Sequence, residues 1–286
     1  MSKVIGCDVG GTFTDLILLD EAVGQVSIAK VPTTPDNQAV GVMAAIAQVG
    51  ADCAELSLLL HGTTTTTNAL LEKKIAQCGL ITTAGFRDVL ELGRRTRPNS
   101  YGLIGSFEPL ISREYRLEVP ERMDADGNVV TALDEDAVRR AALELVEMGC
   151  ESLVIHFLHA YANNSHEVRA TEIAAQVWPN SHITYGSAIL AEFREYERGV
   201  AAAVNAAIQP VLARYLDRLR HELSQAGYDR DLLVMQGNGG TISSAMVAER
   251  AVNTVMSGPA SGVMAAAYTG ARCGFENIIS YDMGGP

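Results

Sequence analysis

Short apolar runs of strand length alternate along this chain with segments whose apolar residues recur every three or four positions. Lys3 to Val9 is rich in β-favouring residues, and Phe13 to Leu19 resumes as a second such run after Gly10-Gly11. A Gly-Gly pair between strand-like runs predicts a hairpin, because tight hairpin turns need positive φ. Asn37 to Val49 reads as a helix, and Leu56 to His61 as an apolar strand. The polar run Gly62 to Thr67 follows. Asn68 or Thr67 can then cap a helix through Ile75, and Cys78 to Thr82 returns as a strand. Tyr115 to Val130 reads as a hairpin turning at Asp126-Gly127-Asn128, Asp134 to Met148 as a helix, and Ser152 to Leu158 as a buried strand. Glu167 to Val177 is a further helix and His182 to Tyr185 a further strand.

From Glu195 to Gln225 the apolar positions Val200, Val204, Ile208, Val211, Tyr215, Leu219 and Leu223 mark one amphipathic helix. Pro210 lies inside it and predicts a kink or a division in two. Leu232 to Gln236 is a strand ending at Gly237-Asn238-Gly239-Gly240. Ser257-Gly258-Pro259-Ala260 precedes a small-residue helix from Ser261 to Tyr268, with proline well placed near the first turn. Strands alternating with helices imply an α/β architecture.

One short pattern occurs twice. Val4-Ile5-Gly6-Cys7-Asp8-Val9-Gly10-Gly11 is echoed by Ile278-Ile279-Ser280-Tyr281-Asp282-Met283-Gly284-Gly285. Each is a strand-like run that closes on an aspartate, one apolar residue and a Gly-Gly pair. Glycines let backbone N–H groups approach phosphate oxygens, and Thr12 and Thr14 add hydroxyl donors. Asp8, at a strand end, is placed to hold a hydrated Mg²⁺, which is usually bound by one or two carboxylates plus phosphate and water. The spacing is neither G-x-G-x-x-G opening a helix nor G-x-x-x-x-G-K-[ST], which sets aside the Rossmann and P-loop motifs. An ordinary hairpin explains one copy; two copies point to paired half-domains facing one phosphate chain.

Composition narrows the class. The chain has 286 residues, enough for one elaborate domain or two smaller ones, and is 48% hydrophobic and 20% charged. No apolar run reaches membrane-span length, and no signal-peptide architecture precedes the first strand. Cys7, Cys53, Cys78, Cys150 and Cys273 are scattered, odd in number and without C-x-x-C spacing. That usage predicts a reduced, cytoplasmic setting with neither a disulfide framework nor a zinc site. A net charge of −12 argues against nucleic acid as partner but leaves ATP open, since its charge is met locally.

Other polar groups have two readings each. Thr63 to Thr67 before a helix could surround a polar substrate or phosphate, or could be a β-branched strand end with capping. Arg94, Arg95 and Arg97 form a basic knot that suits a carboxylate or, more simply, a solvated loop with local ion pairs. His156 and His159 are three apart in a strand-like run, which sends them to opposite faces and disfavours a metal pair. His61 ends a strand beside the threonines and is a candidate substrate-binding residue with Thr63 and Thr64. Glu192, Glu195 and Glu197 read as solvated helix or cap charges, and no Ser-His-Asp or Cys-His arrangement can be inferred.

Taken in order, Asp8-Val-Gly-Gly-Thr-Phe-Thr-Asp15, His61-Gly-Thr-Thr, Thr67-Asn-Ala-Leu-Leu-Glu72, Gly85-Phe-Arg-Asp88, Glu195-Tyr-Glu-Arg198, Asn205-Ala, Gly237-Asn-Gly-Gly240, Ser257-Gly-Pro-Ala260 and Asp282-Met-Gly-Gly285 form a series. This series closely resembles the hydantoinase A / 5-oxoprolinase family, which also includes the ATP-binding subunits of acetone and acetophenone carboxylases. The resemblance implies an actin-like ATPase fold, two RNase H-like halves clasping ATP with Mg²⁺. It implies that Asp8 and Asp282 organise the metal and water, and that Gly10, Gly11, Thr12, Gly284 and Gly285 line the phosphates. Members phosphorylate a carbonyl or enolate oxygen; in hydantoinases and oxoprolinases that oxygen belongs to a cyclic amide, whose hydrolysis generally needs a B-type partner. An oligomeric assembly is expected.

The family's second hairpin continues with threonine and further hydroxyl residues, whereas this chain stops at Pro286. The expectation is an N-terminal portion: residues 1–180 as the family's N-terminal, RNase H-like domain, and 181–286 as the start of its core domain. The second lobe is then truncated at its first hairpin. Within the family a ketone carboxylase subunit is the alternative. Outside the hydrolases, a small-molecule kinase with the same hairpin and a non-catalytic partner-binding lobe stand beside it.

Overall fold

The strands expected on either side of Gly10-Gly11 form and pair antiparallel in a computed structural model that describes residues 2–281 apart from 35–36, 95, 97–98, 100, 103–104 and 106. In chain order the strands are β1 (Lys3–Val9), β2 (Phe13–Asp20), β3 (Gln25–Pro32), β4 (Leu56–Thr63), β5 (Cys78–Thr83) and β6 (Arg116–Val119). They continue as β7 (Arg122–Met123), β8 (Val129–Thr131), β9 (Ser152–His156), β10 (Ile183–Tyr185), β11 (Leu232–Met235) and β12 (Thr241–Ser243). The helices are α1 (Gln38–Gln48), α2 (Thr65–Leu71), α3 (Val89–Leu92), α4 (Glu135–Glu147) and α5 (Ser165–Ala174). After them come α6 (Gly186–Ile189), α7 (Glu195–Gln225), α8 (Ser244–Val247) and α9 (Ser257–Arg272). The fold is mixed α/β, and its contacts divide into two compact units.

The first unit holds the described residues up to Lys74 together with those from Val211 onward. Its sheet has the order β12-β11-β4-β1-β2-β3. β1, β4 and β11 are mutually parallel, whereas β2 and β3 continue antiparallel from β1 as a meander. Alternation along the strands buries Ile5, Cys7 and Val9 of β1, Leu16 and Leu18 of β2 and Leu59 of β4. α1 packs over β1, β2 and β3. On β4 the buried face also carries His61, fully enclosed, with Nε2 2.8 Å from the hydroxyl of Tyr215 on α7. Burial depresses the His61 pKa to about 4, so the imidazole stays neutral through the mildly acidic range.

The second unit, Ile75–Pro210, contains a wholly parallel sheet of order β10-β9-β5-β6. Strands buried on both faces explain their continuous apolar runs. One face packs Ile81, Leu153 and Ile155 against Val138, Ala142 and Leu145 of α4 and Ala170 and Ile173 of α5. The other packs Cys78, Leu80 and Val154 against Ala202, Ala203, Ala206 and Ala207 of α7. This alanine stripe lets the helix lie close to the sheet. Asp134 caps α4, its carboxylate accepting from Ala137 N–H at 2.8 Å. Glu167 of α5 is fully buried and accepts N–H groups from Phe157 (2.9 Å) and Ser187 (2.8 Å). Burial pushes its carboxyl up, but the His156 ring and these donors outweigh that and hold it below the usual range.

Several expectations need correction. Only β7 and β8 make a hairpin within 115–130; β6 instead joins β5 in parallel. The buried Arg116 fixes β6 there by donating to the Ile111 carbonyl at 2.8 Å, and Pro120 separates it from β7. α2 starts at Thr65 rather than after Thr67, because the Thr63 hydroxyl already accepts the Thr65 N–H at 3.1 Å. α9 begins at Ser257, with Pro259 inside its first turn. α7 is one helix, undivided at Pro210; in the turn that the proline loosens, the Ala207 carbonyl accepts the Ala76 N–H at 2.9 Å. β3 and β12 were not foreseen. The strand-like run at Ile278–Tyr281 is not a strand here: Ile279 and Tyr281 are 96% and 83% exposed, and no described sheet extends to them.

Cys7, Cys53, Cys78 and Cys150 are buried and Cys273 exposed, all as free thiols. Burial pushes Cys7 and Cys78 up to about 12. Among the described residues no helix is long and apolar enough to cross a membrane.

Two stability predictions arise from this packing. A Cβ on Gly79 would lie 2.8 and 2.9 Å from the Leu145 methyl carbons. Gly79→Ala should therefore cost about 1–3 kcal/mol by overpacking, and Leu145→Ala about 2–5 kcal/mol by cavity formation. Combined, they should cost clearly less than their sum in denaturant titrations, because each relieves the other; strict additivity would show that Leu145 is not the obstacle. For His61, the folded pKa of about 4 lies below the unfolded value of roughly 6.5, so the unfolded chain binds the extra proton. Stability should be full above about pH 6.5 and fall by up to about 3 kcal/mol as the pH drops towards 4. Denaturant midpoints across this range should show a shallower slope in His61→Gln than in wild type.

Candidate functional site

Three parallel strands, β1, β4 and β11, end side by side, and their carboxyl ends carry the Gly10–Thr12 turn, Thr64 and the Gln236–Gly240 loop. Ligands in open α/β sheets collect at such an edge. Asp8 is exposed there, opposite Asp15 on β2 and Gly62 on β4. The parallel register brings position 62 against this carboxylate, since a Cβ there would come within 2.8 Å of Asp8 Oδ1 and displace it. Asp15 is engaged elsewhere, chelating Lys30 at 2.9 and 3.0 Å.

The turn itself is pinned from below. Gly10 N–H donates to the Phe13 carbonyl at 3.0 Å, and the Thr12 carbonyl accepts from Thr33 N–H at 2.9 Å. The Thr33 hydroxyl donates to the Gly10 carbonyl at 2.9 Å and meets the Thr14 hydroxyl at 3.1 Å. Thr14 is fully buried, so its hydroxyl faces inward and braces the turn, while Gly11 and Thr12 are exposed. The wall opposite is Thr64, whose N–H and hydroxyl both donate to the Val9 carbonyl at 3.0 and 3.2 Å. Asn68 of α2 donates to the Thr64 hydroxyl at 3.2 Å, with its amide nitrogen beside Gly11.

A second seam closes this wall. Thr66 and Thr254 join hydroxyls at 2.9 Å, Met256 N–H donates to the Thr67 hydroxyl at 3.1 Å, and Ser257 donates to the Thr63 carbonyl at 3.2 Å. Asp8, Gly10, Gly11, Thr12 and Thr64 thus come together. His61 and Thr63 lie on the buried side of β4, where Thr63 meets the Thr65 hydroxyl at 2.6 Å. Asp282, Gly284 and Gly285 lie outside the described residues, as do Arg95 and Arg97. Arg94 pairs with Glu197 at 2.6 Å, the local ion pair expected of a solvated loop. Among the described residues no cluster of three or more His, Cys, Asp or Glu side chains could hold a metal by itself.

Thr33, Gly62 and Asn68 were not read as site residues from the sequence. Gly62 could have been, because a glycine directly after a buried strand residue often marks close backbone approach. Thr33 gives no such signal; its place depends on β3, whose pairing is visible only in the fold.

Two family models match the chain, hydantoinase/oxoprolinase N-terminal region over residues 4–178 and hydantoinase/oxoprolinase over residues 198–286. The chain is 38% identical to an uncharacterised protein of Methanocaldococcus jannaschii, across 100% of its own length and 42% of that protein's. With the caprolactamase subunit alpha of Pseudomonas jessenii it shares 32% identity over 98% of this chain and 42% of that one. The crystal structure of the ATP-dependent caprolactamase from Pseudomonas jessenii matches with a TM-score of 0.88 over 99% of this chain and 42% of that chain, at 32% identity. Nucleotide-free acetone carboxylase matches with a TM-score of 0.84 at 28% identity, over 96% and 41%. The chain therefore spans 42% of the length of each of these two curated relatives. By both models, it belongs to the hydantoinase/oxoprolinase family.

Proposed function

We propose that this chain supplies a phosphate-binding lobe of an A-type subunit in an ATP-dependent cyclic-amide hydrolase. The observation that carries the reading is the exposed Asp8 carboxylate, two residues before the pinned Gly10–Thr12 turn at the carboxyl ends of parallel strands. The order β3-β2-β1-β4-β11, antiparallel then parallel, supports an RNase H-like lobe of the actin-like ATPase kind. The repeated Asp-x-Gly-Gly sequence at Asp282–Gly285 supports a second half facing the same phosphate chain.

The residues fit Mg-ATP. Asp8 offers one carboxylate without a neighbouring Cβ at position 62, which suits a hydrated Mg²⁺ held through water. The exposed backbone of Gly11 and Thr12, with the Thr12 hydroxyl, offers donors to phosphate oxygens. Thr33, backed by Thr14, holds those donors in place while Asn68 braces Thr64, and phosphoryl transfer is mainly positioning and charge stabilisation. Bound there, ATP would supply the phosphoryl group that activates a ring carbonyl oxygen; Thr64 lines the wall where a polar substrate would stand, with Thr63 and His61 as its buried support. Ring opening would fall to a B-type partner subunit. The likeness to acetone carboxylase favours a second reading, in which the activated oxygen belongs to a ketone.

Calorimetry with Mg-ATP tests the lobe directly. The chain should bind Mg-ATP, and Asp8→Ala and Gly62→Val should each weaken binding at least about tenfold, roughly 1.4 kcal/mol. Unchanged affinity in Asp8→Ala would overturn the metal role. With a B-type partner present, ATP turnover stimulated by lactams rather than by ketones would favour the hydrolase.

A further inference from the structure

The face of the first sheet that turns away from Asp8 has a cleft of its own. α1 crosses this face, with Gly41 set against the Thr14 side chain, and α7 brings Tyr215 to His61 there. Asp8 alternates with the buried Cys7 and Val9 along β1 and so faces the other way. Between the start of α1 and the turns of α7 around Tyr215 lies a pocket of about 180 Å³, lined by Asn37, Gln38, Thr65, Arg214, Tyr215 and Arg218. Pockets for drug-sized ligands begin at roughly 300 Å³, so this one suits a small ion.

The lining is cationic in a chain of net charge −12. Arg214 and Arg218, four residues apart, are neighbours on one face of α7, and both are exposed. A guanidinium carries five N–H donors in a fixed fork, so an arginine with contacts elsewhere still offers a pair of them to an oxyanion. The start of α1 adds the positive end of a helix dipole, and no acidic residue occupies its first turn. Among the described residues no carboxylate lines the pocket. Gln38 spends its amide oxygen on the Thr65 hydroxyl at 2.5 Å, which leaves its NH₂ group as a donor.

One lining atom has the opposite character. Asn37 stands at the N-cap of α1, yet its side chain makes no capping bond, and its Oδ1 is buried without a hydrogen-bond partner. A buried acceptor left unpaired is costly and calls for an explanation. Donors for an anion and one acceptor together suit an anion that still carries a proton. We propose that this pocket binds inorganic phosphate, with Arg214, Arg218 and Gln38 donating to its oxygens and Asn37 Oδ1 accepting its P–O–H. Sulfate has the same shape but no proton near neutral pH, and a phosphate monoester loses its last proton around pH 6. Inorganic phosphate keeps one throughout the physiological range. The site is separate from the Gly10–Thr12 turn and does not depend on the function proposed above.

Phosphorus NMR of inorganic phosphate with the full chain at about pH 8, without Mg²⁺ or nucleotide, tests this. The wild type should broaden the phosphate line, and sulfate and methyl phosphate should each compete at least about tenfold more weakly than phosphate itself. Arg214→Gln with Arg218→Gln, at exposed helix positions where glutamine is well tolerated, should weaken phosphate binding at least about tenfold with helix content unchanged by circular dichroism. Asn37→Ala removes no capping bond and should erase the preference for phosphate over sulfate. No broadening by wild type, or equal competition by sulfate, would overturn the assignment. Wild-type phosphate binding in the double arginine variant would also overturn it, by moving the ion to another site such as the Gly10–Thr12 turn.

Discussion

The register of β1 against β4 is the constraint on which the candidate site depends. It sets Asp8 beside Gly62 and Cys7 beside His61, so one strand pair presents a carboxylate to solvent and a neutral imidazole to the core. A one-residue slip of β1 would bury the acid, and the same slip of β4 would expose the histidine. The apolar residues of β1, β2 and β4 guard against the slip, because Ile5, Val9, Leu16 and Leu59 would leave the core with it. The site's polar geometry is thus held by hydrophobic burial two residues away.

Hydroxyl groups do the finer positioning. Thr14, Thr33, Thr64, Thr66 and Thr254 each spend a hydroxyl on a backbone carbonyl or on another threonine around the same edge. Threonine suits the task, since its β-branch favours strands and strand ends while its oxygen satisfies groups that turns leave exposed. Each such bond is worth only about 1 kcal/mol, so the rigidity comes from their number and mutual support. The second unit solves a similar problem with charge: Glu167 ties the ends of β9 and β10 through two N–H donors.

Much of this was legible in the residues. The first hairpin, β4, β5, α4 and α7 lie where the hydrophobic periodicity puts them, within a residue or two. The Asp8-x-Gly-Gly pattern pointed to the edge where the turn now sits, and the ordered motif series to the family that both family models match. What escaped depends on pairing at a distance. β6 reads as half of a hairpin until its partner is known to be β5, and β3 gives Thr33 its position only through β2.

The cysteines have a practical consequence. Four thiols are enclosed, and burial drives all four away from the thiolate form that alkylating reagents require. Cys273, capping the last turn of α9, is the exposed one. A maleimide dye or spin label should therefore attach at a single address in the unmodified protein. It would sit on the helix whose first turn, at Ser257, is stitched to the threonine wall, and so could report on ligands arriving there.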